Sequence, residues 1–87
     1  MSIFLIEDEA HGESHGQFAS YEEALQELKV RAGISWDAEP NKAPCTNWKN
    51  CGRRYEIVEF DNSTKPWGQL SRVSVLNISA EGVKWDL

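Results

Sequence analysis

The sequence predicts a small α+β domain: an antiparallel or mixed sheet, in the order β-α-β-β-β, with one helix packed on one face. Three observations lead there. Residues 20–33 carry a helical apolar period with its own start and stop signals. The second half is rich in β-branched and aromatic residues, interrupted by turn residues. And 87 residues make a single domain, 1–87, with no internal repeat to divide it.

Ile3, Phe4, Leu5 and Ile6 form a continuous apolar run, which suits a short strand covered on both faces. Residues 7–16 (EDEAHGESHG) are polar, punctuated by glycine and without period, and read as a loop or hairpin tip. Residues 17–19 would extend a second short strand and close a hairpin. Ser20, followed three residues later by Glu23, has the capping-box pattern, in which each side chain serves a backbone N–H at the helix start. Tyr21, Ala24, Leu25, Leu28 and Ala32 then recur on one helical face. Glu22, Glu23, Gln26, Glu27, Lys29 and Arg31 take the solvent side, acids early and bases late as the helix dipole favours. Gly33 is the expected stop, through a left-handed residue after the last turn.

Residues 54–60 (RYEIVEF) read as a strand, 61–68 (DNSTKPWG) as a loop, and 69–80 as strand again. Glu81-Gly82 turns the chain, and Val83, Trp85 and Leu87 alternate with Lys84 and Asp86 in a last strand. Alternation puts Tyr55 and Ile57 on one face and Val58 and Phe60 on the other. It likewise sets Val73 and Val75 against Leu70, Leu76 and Ile78. One helix covers one face, so the second apolar set needs its own cover. The sequence offers two: the long loop between helix and sheet, or a second copy of the chain in a homodimer.

Composition narrows the function. The net charge of −5 opposes a general nucleic-acid binder, which needs a broad cationic face. No apolar stretch approaches the ~20 residues of a membrane span. The run at 3–6 is short, follows no basic residue and precedes acids, so a secretory signal is not expected and the chain reads as cytoplasmic. The sequons at Asn62 and Asn77 then carry no meaning as glycosylation sites.

Function points to residues 36–55, WDAEPNKAPCTNWKNCGRRY. This stretch holds both cysteines, two of the four tryptophans and the pair Arg53-Arg54. Trp36, Trp48, Lys49, Arg53 and Arg54 mix indole faces with cationic donors, the make-up of protein-interface hot spots. The plainer reading is that the tryptophans anchor the loop to a thin core and the bases offset nearby acids. Cys45 and Cys51 form a candidate thiol pair, but five residues separate them, against two to four in common zinc sites. His11 and His15 would complete a Cys2His2 set, which gives a structural zinc protein as one alternative. A disulfide would not persist in a reducing cytosol. A small enzyme is the other alternative, with Cys51 beside Arg53 and Arg54 acting on an anionic substrate. No base accompanies the thiol in sequence, so no catalytic residue, metal or cofactor is assigned. The sequence therefore favours a non-catalytic module that binds a protein partner through the 36–55 loop, as a homodimer.

Overall fold

The computed structural model describes residues 2–42 and 52–86. A hairpin of β1 (Ser2–Asp8) and β2 (Glu13–Phe18) leads into α1 (Tyr21–Ala32). The strands β3 (Gly52–Asp61), β4 (Gly68–Ser79) and β5 (Gly82–Trp85) follow. Among the described residues, five strands form one antiparallel sheet in the order β2-β1-β3-β4-β5, and α1 packs on one of its faces. The predicted class, α+β with one helix packed on the sheet, is the one the described residues show. The order gains a strand, because β2 begins at Glu13, four residues before the stretch that reads as strand. Its half-buried positions include Glu13 and His15, so no apolar alternation announces it.

The helix begins as the sequence predicts. Ser20 is extended, and its hydroxyl accepts from the Glu23 N–H at 3.2 Å. The Glu23 carboxylate reaches back to the Ala19 N–H at 3.0 Å, one residue before the cap. The end differs. Gly33 has φ −90°, so no left-handed residue is used. The last turn closes instead through Gly33 N–H to the Val30 carbonyl and Ile34 N–H to the Arg31 carbonyl. The Asn41 amide then donates to the Arg31 and Ile34 carbonyls, both at 2.9 Å, which satisfies the helix end from outside.

Ala24 and Leu28 bury completely against Ile6, Tyr55, Ile57, Val75, Leu76 and Ile78. Each large aliphatic side chain buried this way contributes about 1.5–3 kcal/mol. Val75 and Leu76 are neighbours, yet both belong to this cluster. The register explains it: Tyr55 faces Leu76 while Glu56 faces Ser74, so Val75 is the extra residue of a bulge. The other face carries Ile3 opposite Phe60, Leu5 opposite Val58 and Glu7 opposite Glu56. Trp67 tilts against Phe60 with ring centroids 6.2 Å apart. Residues 36–42 do not cover this face; Asn41 ties them to the helix side. Residues 43–51, the rest of that loop, lie outside the described residues.

Candidate functional site at the base of the loop

Three strand ends meet at one end of the sheet. Antiparallel pairing sets the last residue of β1, Asp8, across from Tyr55 near the start of β3, and across from Glu13 at the start of β2. Period-two alternation from Phe4 through Ile6 carries Asp8 onto the helix side. There it is fully buried, a costly position for a carboxylate unless donors surround it. Four do. One oxygen accepts from the Ala10 and Arg54 N–H groups at 3.1 and 3.0 Å; the other accepts from His11 Nδ1 at 2.6 Å and Arg53 Nη1 at 2.8 Å. Burial pushes the Asp8 carboxyl up, but these donors outweigh it and hold it below the usual carboxylate range.

Arg53 is the centre of the arrangement. Its Nη1 donates to Asp8 and also to Glu13. Its Nε donates to the Asn41 carbonyl at 3.2 Å, and its Nη2 to the Lys42 carbonyl at 2.7 Å. One guanidinium therefore joins β1, β2, β3 and the outgoing side of the loop. Burial alone would lower its pKa; Asp8 and Glu13 raise it instead. Asn41, 1% exposed, completes the clamp, since its amide oxygen accepts from the Tyr55 hydroxyl at 3.1 Å.

A second arginine continues the network along the helix. Arg31 is buried rather than on the solvent side, because it follows Leu28 by three residues and extends the same stripe. Its guanidinium lies 5.1 Å over the Tyr55 ring, and its Nε donates to Glu27 at 2.7 Å. Its Nη1 meets His15 Nδ1 at 2.9 Å. A guanidinium can only donate, so His15 Nδ1 carries the lone pair and the proton sits on Nε2, which donates to Glu13 at 3.2 Å. The His15 ring stands edge-on to Tyr55, with centroids 5.6 Å apart. Burial pushes the Tyr55 hydroxyl up, against the opposing pull of Arg31.

The return of the loop is equally tight. A Cβ on Gly52 would lie 2.2 Å from the Ile78 carbonyl oxygen and 2.9 Å from the Ser79 Cβ, so only glycine fits where β3 begins beside β4.

Chemically the cluster is saturated. Among the described residues no buried side-chain polar atom lacks a partner. Asp8, Glu13 and His15 bring candidate ligand atoms within 4.8 Å of one another. Arg53 already bridges the two carboxylates, however, and both nitrogens of His15 are engaged. The guanidinium holds the position a cation would take. A shallow cavity of about 200 Å³ lies alongside, lined by Gly52, Arg53, Arg54, Asn77 and Ser79 among others. Its described lining has no carboxylate, imidazole or thiol, and thus no group suited to take a proton from a substrate.

Of the residues singled out in sequence, Trp36 is half-buried and packs on the core. Arg54 projects outward, 63% exposed, and pairs with Glu9 at 2.9 Å. Arg53 is internal. Trp48, Lys49, Cys45 and Cys51 lie outside the described residues. His11 and His15 both bond acids of this cluster. Asp8, Glu13, Arg31 and Asn41 were missed. Two of these carry a signal: Asp8 falls on the core-facing period after Phe4 and Ile6, and Arg31 on the helical stripe three residues after Leu28. Compared with known proteins, the chain matches no family model, no curated protein and no solved structure.

Proposed function

We propose that the chain is a small, non-catalytic protein-binding module of the cytoplasm, which self-associates through its sheet and meets a protein partner through the 36–55 loop. The observation that supports this reading is the clamp at the loop's base. A buried, fully paired set of groups fixes where the loop leaves and returns, and spends no reactive side chain outside itself. Fixing both ends of a contact segment lowers the ordering cost of binding. In this reading Arg53 acts from beneath, by holding the loop, while Trp48, Lys49 and Arg54 make the contact with Trp36 at its edge. In a reducing compartment Cys45 and Cys51 would be kept as thiols. The zinc alternative through His11, His15, Cys45 and Cys51 would have to break the His15 bonds to Glu13 and Arg31.

The test pairs Trp48→Ala with Arg54→Ala. Partner capture should disappear while Tm holds within a few degrees. Retained capture at an unchanged Tm would remove the loop from the interface. A large fall in Tm would instead give both side chains a structural role. A fall in Tm on adding a chelator to the unaltered protein would favour the zinc alternative.

A further inference from the structure

β4 is the longest strand, yet β5 covers only part of its outer edge. Their pairing runs from Leu76 opposite Trp85 to Ser79 opposite Gly82, and the Asp86 N–H adds one bond to the Val75 carbonyl. Beyond that point, residues 68–74 are all exposed, and among the described residues no strand pairs with their free edge. Their outward backbone groups form a template for another extended chain. The pairing of β4 with β3 is itself irregular at Leu70, as that of β2 with β1 is, but the β2 edge is guarded further: β2 is polar, and Gly16 has φ +117°.

Two further observations fall on the same edge. Five of the six large apolar side chains exposed among the described residues are Trp67, Leu70, Val73, Val83 and Trp85, all on β4, β5 or the turn into β4. Charge is also segregated. Residues 62–87 carry three bases (Lys65, Arg72, Lys84) and two acids (Glu81, Asp86), so the other 61 residues hold −6 of a chain whose total is −5. Two copies meeting here set the less acidic end of the sequence between them, with Glu56 already paired to Arg72, whereas the β2 edge belongs to the part that carries −6.

We infer that β4 pairs antiparallel with β4 of a second copy across a two-fold axis, joining two sheets into one of ten strands. This deepens the self-association in the reading above and rests on it. Using the whole free edge, 68–74, centres the axis on Ser71 and sets Leu70 beside the partner's Arg72. A register centred on Arg72 would oppose two guanidinium groups and is disfavoured. The same placement brings Trp85 and Asp86 at the end of β5 toward the partner's Trp67 and Lys65, an apolar contact and a pair of opposite charge.

The experiment is sedimentation across a concentration series for the unaltered chain and for Ser71→Lys. Ser71 faces Glu59 on β3, which accommodates a lysine within one copy. The unaltered chain should reach twice its 9.9 kDa mass, and Ser71→Lys should raise the dissociation constant by about tenfold through like charges opposed at the axis. Hydrogen exchange on the unaltered chain should show protection at 68–74 that grows with concentration, a readout independent of how the variant folds. A dimer untouched by Ser71→Lys, with protection elsewhere, would overturn the β4 edge and leave self-association standing. A monomer at every concentration would overturn both and leave the edge to an extended segment of another protein.

Discussion

The two faces of this sheet each hold an arginine bridging two acids, and the difference between them is instructive. On the helix side Arg53 joins Asp8 and Glu13, with Arg53 at 5% and Asp8 at 0% side-chain exposure. On the other face Arg72 joins Glu7 and Glu56, and the arginine is 36% exposed. The pairings look alike in the sequence and in a bond tally. Energetically they are not. Water can take over from Arg72 if it is lost, whereas around Asp8 there is little room for it. Burial, rather than the number of ion pairs, decides which arginine the fold depends on.

Arg53→Ala tests that claim with the largest effect. It strands a buried carboxylate and unties the Asn41 and Lys42 carbonyls, for an expected loss of about 3–5 kcal/mol. A domain of this size has on the order of 5–10 kcal/mol in total, so most of its stability should go. Arg53→Lys should rescue little, since an ammonium cannot fork to four acceptors on three sides. Urea denaturation measures both. A loss near 1 kcal/mol for Arg53→Ala would place the helix-side cluster in the same class as the outer one.

Acid should separate the faces next. The Asp8 pKa is lowered in the folded chain, so its contribution is fully present above the unfolded value, near pH 4. It is lost as pH falls below that value and through the folded one. Stability should thus rise with pH in this acid window, Asp8 contributing at most about 1.4 kcal/mol per pH unit. Asp8→Asn should flatten the slope by that share. Glu13, lowered mainly by its bonds to Arg53 and His15, keeps part of it. An unchanged slope in Asp8→Asn would mean that Asp8 is no better solvated by donors than by water.

How much of this was legible follows from the same contrast. The helix was readable to its cap because Ser20, Glu23 and the Ala24–Leu28 stripe act within a few residues of one another. The strands 54–60 and 69–80 were readable from their apolar and β-branched content. The cluster was not. Asp8, Glu13, Arg53 and Asn41 are separated by up to 45 residues in their bonds, and polar residues give no period that says they are buried. The sequence shows only the end of β2 for this reason, since its inward positions hold Glu13 and His15. Arg31 reads as solvent-facing because a charged residue on an apolar stripe is an exception until its partners are known. Local chemistry is written locally; a buried ion network depends on the fold that assembles it.

The smallest effect expected is at Arg72. Its pKa is raised chiefly by the bond to Glu56, against partial burial, so the pairing is genuine. Still, the side chain is more than one-third exposed, and although Glu56 is only 9% exposed, removing the arginine that covers it opens it and Glu7 to water. Arg72→Ala should cost no more than about 1 kcal/mol, and salt should shrink that further. Part of the loss would be packing, because the arginine stem lies across from Val58 and covers apolar surface there. Arg72→Met separates the two contributions: it keeps the stem and removes the charge. Near-native stability for Arg72→Met in dilute protein would show that the outer arginine serves as cover for the sheet more than as an ion pair. A loss approaching that of Arg53→Ala would mean the outer face is as dry as the inner one, which the exposure of Arg72 argues against.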